Sequence, residues 1–366
     1  EKMASISFLI YGSSSFTKKG YESATKLKNW EQLIAPTYKS CPPQKQIDLR
    51  QKSFLVTGAN SGLGLSCAQW FANHGGTVHM VCRNKDKGEQ ARQEVINNAI
   101  QYAKLKQENN NSNANQSEIS NNGQDDPSGR VFLHVCDVSK PSDIRSFVQD
   151  FEQHHSLDVL VNNAGAMFDK RSVTEDGLEI TFATNTISTF LLTNLLIPTL
   201  KKSSSPRVIS VASGGMLTEK LLVGKAYDPS EKSWAGMDMY AKTKRHQVVL
   251  TELWSQKYTA RTGIPFYSMH PGWVDTPGLS VAMPSFYNTF KNSLRTVEEG
   301  ADTIFWLATT NQVGTAESGE FFRDHQKEVK HLTLGFTKYS AADADKLWQW
   351  CSEASNWSEK ELESKL

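Results

Sequence analysis

Thr57-Gly58-Ala59-Asn60-Ser61-Gly62-Leu63-Gly64 follows the apolar run Ser53–Thr57 and opens the helix-like segment Gly62–His74. A strand, a glycine loop and a helix in that order form the opening unit of a doubly wound α/β sheet. Gly58 permits a tight turn, Gly62 lets backbone approach a pyrophosphate, and Gly64 allows close helix–strand contact. The helix N-terminus then offers free N–H groups and partial positive charge to a phosphate. The spacing G-x-x-x-G-x-G differs from G-x-G-x-x-G, so its place in the chain carries the reading. The plain alternative is an ordinary glycine-rich turn.

Outward from this loop the sequence alternates. Thr77–Cys82, Val131–Val135, Val159–Val161, Arg207–Val211, Pro265–Met269 and Glu320–Phe322 read as further strands. Asp86–Ile100, Ser142–His154, Leu178–Lys201, Met239–Tyr258 and Val297–Leu307 read as helices between them. Short apolar strands alternating with longer helices predict a Rossmann-type doubly wound parallel sheet of about seven strands. Length alone would suggest roughly two domains, but the alternation fits one, over residues 51–330. Residues 1–50 read as an N-terminal arm and 331–366 as a C-terminal extension. From Asn109 to Asn122 half of the residues are Asn. Residues 105–129 therefore read as a disordered surface insert.

Composition narrows the function. The 366 residues carry 40 Lys+Arg against 39 Asp+Glu, which argues against a grip on nucleic acid through excess basic charge. No apolar run nears the ~20 residues of a spanning helix, which excludes a transmembrane channel or receptor. Five Cys (41, 67, 82, 136, 351) form no C-x-x-C pair, so neither a disulfide framework nor a zinc knuckle is expected. His154 and His155 are adjacent and do not face one site, so no metal centre is expected from them.

The second strand ends Cys82-Arg83-Asn84. An NAD site usually places Asp or Glu there, on the ribose 2′-hydroxyl. Cys82 stands instead and Arg83 follows, and a guanidinium pairs with a 2′-phosphate that a carboxylate would repel. NADP(H) is favoured over NAD(H). Tyr240 and Lys244, four apart on a helix, lie on one face. An ammonium near a phenol lowers its pKa from about 10 toward the pH at which acid–base catalysis operates. Ser213 sits at the carboxyl end of a strand, where its hydroxyl can bond a substrate carbonyl. Gly165, closing Asn162-Asn163-Ala164-Gly165, allows close backbone approach, and Asn185 lies inside a helix that it suits poorly. Pro271-Gly272 turns the chain ahead of Val274 and Thr276, and Thr276 faces a nicotinamide end.

Thr57–Gly64, Asp137, Asn162–Gly165, Asn185, Ser213, Tyr240, Lys244 and Pro271–Thr276 stand in the order and spacing of the short-chain dehydrogenase/reductases, which residues 50–325 resemble. The resemblance implies Tyr240 as general acid or base, Lys244 as the group that lowers its pKa and holds the nicotinamide ribose, and Ser213 as carbonyl anchor. It implies a water held by Asn185 in a proton relay to Lys244. Asp137 and Val138 would flank the adenine, and Asn163 and Ala164 would line the adenosine ribose. Ser61 and Leu63 would join the glycines at the pyrophosphate, and Asn84 would join Arg83. Ala212 replaces the Ser usual before the catalytic Ser, and Ser213 to Tyr240 spans 27 positions, so Met216–Met239 reads as part of the substrate mouth.

The resulting expectation is an NADP(H)-dependent oxidoreductase acting on a small lipophilic carbonyl or alcohol. Met216, Leu217, Trp234, Trp273 and the lid-like Met283–Phe290 would surround the mouth. A catalytically quiet NADP(H)-binding protein acting through partners is the rival. Residues 6–30 read as an arm packed on the domain, with weak membrane-surface contact the alternative. The C-terminal Ser364-Lys365-Leu366 reads as a peroxisomal address, with a cytoplasmic location the alternative.

Overall fold

The structure, a computed structural model, describes residues 2–26, 47–113, 126–227 and 233–366. Two helices, α1 (Lys2–Ser15) and α2 (Lys18–Lys26), precede β1 (Ser53–Thr57), α3 (Gly62–Asn73), β2 (Thr77–Cys82) and α4 (Lys85–Asn113). Then come β3 (Val131–Val135), α5 (Pro141–His154), β4 (Val159–Asn162), the short α6 (Ile180–Phe182), α7 (Ser188–Leu200) and β5 (Arg207–Val211). The chain continues through α8 (Gly236–Trp254), α9 (Ala260–Thr262), β6 (Phe266–Met269), α10 (Pro277–Ala282), α11 (Pro284–Phe290) and α12 (Val297–Thr309). It ends with β7 (Phe321–Arg323), β8 (Gln326–Lys327), α13 (Ala341–Ala354) and α14 (Glu359–Glu363).

The sheet order is β3-β2-β1-β4-β5-β6-β7-β8. Every pair is parallel except β7–β8, an antiparallel pair too short to register as a sequence pattern. Both faces of the central strands are covered, which is why β1, β4 and β5 are buried along their whole length. One face packs Phe71, Val95, Ile304 and Trp306 from α3, α4 and α12. The other packs Phe151, Phe190, Leu250 and Trp254 from α5, α7 and α8. Strand order reverses between β1 and β4, so the carboxyl ends of those strands flank the crevice where such sheets bind ligands.

Several boundaries differ from the sequence reading. Helix α4 runs to Asn113, so the stretch read as disordered from residue 105 begins as helix. Buried Ala91, Val95 and Ala99 anchor it, and each added residue of a formed helix gains a hydrogen bond at little cost. A 3₁₀ turn, Pro127–Arg130, leads into β3; residues 114–125 of that insert lie outside the described residues. Ile180–Leu200 forms a 21-residue helical segment that is long and apolar enough to span a membrane, contrary to the reading of the sequence, but 89% of its apolar window is buried in this fold.

Neither end is a loose appendage. Phe16 is fully buried against Trp273 and His270, while Leu9 and Ile10 stay exposed on the far side of α1. Trp30 and the rest of 27–46 lie outside the described residues. Leu347, Trp348 and Cys351 of α13, with Trp357, complete the core beside Phe190 and Trp254. The last residues lie on the same side: Lys365 pairs with Glu152 at 3.0 Å, and Lys201 donates to the Leu366 carbonyl at 3.0 Å.

Candidate active site

Three glycines shape a cradle at the carboxyl end of β1. Gly58 and Gly62 adopt left-handed backbone (φ +65° and +52°) that other residues rarely take. A Cβ at Gly58 would lie 3.1 Å from Cα of Ala164, and one at Gly64 would lie 2.6 Å from Nδ2 of Asn163. Thr276 stands across the crevice, with Cγ2 3.7 Å from where a Gly62 Cβ would be. Ser61 precedes the first turn of α3 and its hydroxyl caps nothing. Leu63 packs inward toward the α3–α12 core, against the position of Gly300.

Thr57 and Asn163 lock this cradle to β4. The backbone N–H groups of Asn163 and Ala164 donate to Oγ1 of Thr57 at 3.0 and 2.9 Å, and Nδ2 of Asn163 donates to the Thr57 carbonyl at 2.9 Å. The Asn163 side chain thus braces the loop. Asn162 turns the other way and bonds Thr193. Thr57 opened the glycine motif in the sequence but was given no role of its own; a hydroxyl residue ending an otherwise apolar strand was the available signal.

At the end of β2, Cys82 is buried and its thiol pushed up to about 11 by desolvation. Arg83 is exposed and its guanidinium has no partner among the described residues. The side chain of Asn84 accepts from the Lys87 backbone at 2.9 Å, capping α4. Asp137 receives both the backbone N–H and the hydroxyl of Ser139 on one oxygen, and Val138 packs inward against the α5 side of the core.

Ser213, Tyr240, Lys244 and Asn185 converge beyond the ends of β4 and β5. Nζ of Lys244 lies 5.4 Å from the Tyr240 ring centre. It donates to the Val211 carbonyl at 2.8 Å and to Oε1 of Gln247 at 3.0 Å. Gly165 makes room for it: a Cβ there would sit 3.0 Å from Nζ and 3.4 Å from Oδ1 of Asn185. Asn185 lies in a π-helical turn, Ala183–Ile187, a distortion often found at functional sites. Its side chain closes a two-way bond with the Ala166 backbone (2.8 and 3.0 Å) and also donates to Thr243. Its carbonyl accepts from Thr189 and from Nε2 of Gln247 at 2.9 Å. Gln247 therefore links the Asn185 backbone carbonyl to the Lys244 ammonium directly. Gln247 was not given a role from the sequence; its position three residues after Lys244 on one helix face was the signal.

The electrostatics differ from the sequence expectation. Burial pushes the Tyr240 phenol up to about 12, with the Ser213 side chain acting in the lowering direction, and pushes Lys244 down to about 7. Desolvation opposes both charged forms, and the Lys244 ammonium is turned toward Val211 and Gln247. The protein alone holds a protonated phenol.

The far wall is the loop after β6. Gly272 (φ +80°) is closed in by the Arg295 side chain and the Phe16 carbonyl, which a Cβ would approach to 2.7 Å. Trp273 donates to Phe16 at 2.8 Å, and Arg295 donates to the carbonyls of Pro271, Phe16 and Ser15. The ring of Phe16 also fills the space a side chain at Gly214 would need, immediately after Ser213. Val274 packs toward Gly300. Met216, Leu217, Trp273, Phe286 and Phe290 form one apolar cluster with Phe8 and Phe16. Met216 and Leu217 are wholly buried in it. Trp234 is partly buried against the core cluster that contains α7 and α8 residues.

A glycine cradle at the switch point of a doubly wound sheet, with Ser, Tyr and Lys converging beside it, defines a dinucleotide-binding oxidoreductase class of protein. Residues 102–283 match the short chain dehydrogenase family. Dehydrogenase/reductase SDR family member 12 from Homo sapiens is 42% identical over 344 residues, spanning 94% of this chain and 95% of that protein. Retinol dehydrogenase 11 from Mus musculus is 30% identical over 284 residues, 76% of this chain and 80% of that one. A short chain dehydrogenase from Escherichia coli, solved with NADPH, superposes with a TM-score of 0.54 at 19% identity over 77% of this chain and 100% of that one, a likeness of fold. The chain belongs to the short-chain dehydrogenase/reductase family of oxidoreductases.

Proposed function

We propose that the protein interconverts a lipophilic carbonyl and its alcohol by NADP(H)-dependent hydride transfer, with Tyr240 as acid and base. The convergence of Ser213, Tyr240 and Lys244 beside the glycine cradle carries this reading. The cradle suits a dinucleotide. Gly58 and Gly64 let the loop close tightly on itself and on Asn163 and Ala164, Gly62 faces Thr276 with space between, Ser61 and the α3 N-terminus offer donors, and Arg83 at the end of β2 is a cation with no partner among the described residues. Asp137, Val138, Ala164 and Thr276 would complete the walls. When bound, the nicotinamide supplies or accepts the hydride.

The chain's own residues do the rest. The Ser213 hydroxyl orients the carbonyl oxygen and offsets the charge that develops on it. Tyr240, protonated at neutral pH, donates its phenolic proton to that oxygen. Lys244, held by Val211 and Gln247, keeps positive charge beside the phenol as the proton leaves. NADP(H) over NAD(H) is supported by Arg83 and by the lack of a carboxylate at Cys82. A lipophilic substrate is supported by the cluster of Trp273, Phe286 and Phe290 and by the name of the retinol dehydrogenase relative. A peroxisomal address at Ser364–Leu366 would require that end to leave Glu152 and Lys201, which a fluorescent fusion with and without Leu366 would check.

The test is NADPH consumption with retinal, steroid ketones, quinones and fatty aldehydes, in parent and Tyr240→Phe. Turnover should fall by about 10²-fold or more in the variant while NADPH binding persists. Unchanged turnover would remove Tyr240 from the chemistry. NADPH binding with no turnover in the parent would favour a quiet cofactor-binding protein.

A further inference from the structure

Three histidines far apart in sequence meet at the β2–β3 edge. His79 lies in β2 and His134 in β3, in registers that place both on the face covered by α5 (His79 opposite Phe132, His134 opposite Val81). His155 follows the last residue of α5. His154 and His155 diverge, as their adjacency implied. His154 turns out to its own helix, with Nδ1 2.9 Å from the Asp150 carbonyl, while His155 turns in to the other two rings.

One imidazole nitrogen from each of the three lies within 4.8 Å of the others. Nδ1 of His79 and Nε2 of His134 are 2.9 Å apart. We propose that His79, His134 and His155 form a binding site for a divalent transition metal of the zinc, cobalt or nickel type, with a fourth position open to solvent. Imidazole nitrogens suit these ions, and three protein ligands with one open position is a recurrent arrangement. Zinc–nitrogen bonds of about 2.0–2.1 Å set tetrahedral edges of roughly 3.3 Å. The His79–His134 pair needs only to open slightly, and His155 to draw in.

The surroundings agree with this. His79 is buried while His134 and His155 are half-buried, so the cluster has an inner wall and an outer entry. Outside lies a surface hollow lined by His134, Asp143, Ser146 and Asp150, and Asp150 acts electrostatically on both His134 and His155. Phe132, Phe147 and Phe151 pack against the rings and restrain their rotation. The site is separate from the reaction centre, because β3 is the edge strand and Ser213 follows β5, four places along the sheet.

The full chain, carrying no polyhistidine tag, is titrated with Co²⁺ and then Zn²⁺. Visible absorption reads the coordination and calorimetry the stoichiometry. One Co²⁺ should bind per chain with tetrahedral-type absorption and be displaced by Zn²⁺. His155→Gln and His134→Gln, both at the open side, should each weaken binding by more than about tenfold, with His154→Gln within about twofold of the parent. No saturable binding in the parent, binding that survives His155→Gln and His134→Gln, or loss in His154→Gln would overturn the proposal. Circular dichroism of each variant separates ligand loss from unfolding. None of these readouts depends on dinucleotide or substrate.

Discussion

Gln247 holds Lys244: Oε1 accepts from the ammonium at 3.0 Å, while Nε2 of the same amide donates to the Asn185 carbonyl at 2.9 Å. One buried side chain thus fixes the direction of the charge proposed to support Tyr240. Gln247→Leu removes a partner from a buried ammonium and should lower kcat by about tenfold, the effect of about 1.4 kcal/mol, with little change in the KM for NADPH. It should also make Lys244 easier to deprotonate. Gln247→Glu places a carboxylate there and should make it harder. Opposite displacements of the pH–rate profile in the two variants mark a positioning role; loss of activity in both without displacement would mark a merely structural one.

Lys244 titrates at about 7 and Tyr240 at about 12, so the lysine is the first of the two to lose its proton as pH rises. Lys244 is charged below pH 7 and neutral above it, while the phenol stays protonated through the whole range. Carbonyl reduction measured as single-turnover rate with saturating NADPH should therefore fall as pH rises through about 7. Lys244→Arg should remove that falling limb, because a guanidinium keeps its proton to far higher pH. A limb that stays in place in Lys244→Arg assigns it to another group.

The strands were legible because central parallel strands are continuous apolar runs, and six runs between Ser53 and Met269 match the observed strands within a residue. Strand β8 was not, since two exposed residues, Gln326 and Lys327, carry no periodicity. Ser213 and the glycines were legible from residue type and from their position at strand ends, and Tyr240 and Lys244 from their spacing on one helix. The Tyr240 pKa was not, because spacing reports proximity to an ammonium and says nothing of burial, which dominates. Phe16 and Arg295 escaped notice because each acts through backbone carbonyls, and a carbonyl has no sequence signature. His79, His134 and His155 are separated by more than fifty and then twenty positions; strand register joins the first two and the end of α5 brings in the third.

Arg83 is exposed, and no group among the described residues competes for it. Arg83→Ala should weaken NADPH binding by about ten- to a hundredfold, the range of a hydrogen bond to a charged group, and leave NADH binding within about twofold. Tryptophan fluorescence titration of both cofactors checks this. Equal affinity for NADH and NADPH in the parent would defeat the preference itself.

Arg295 ties the arm to the crevice. Its guanidinium pairs both nitrogens with Asp324 (2.6 and 3.0 Å) and donates to Ser15 and Phe16 (2.9 Å each), wholly out of water. Arg295→Met leaves Asp324 buried, with Arg323 as its remaining cationic partner, and takes one donor from each of the Ser15 and Phe16 carbonyls, which keep Arg323 and the Trp273 backbone N–H. Breaking one side of such a pair costs about 3–5 kcal/mol, so the midpoint of urea unfolding should drop accordingly. The loss should be local as well. Phe16 rests on Gly214 and its carbonyl holds Trp273, so the arm should become cleavable by protease near residue 16 before the sheet opens, and the substrate KM should rise. Limited proteolysis with mass analysis reads the first, and steady-state kinetics the second. An arm as protected in Arg295→Met as in the parent would mean that the aromatic packing of Phe8, Phe16 and Trp273 holds it without the ion pair.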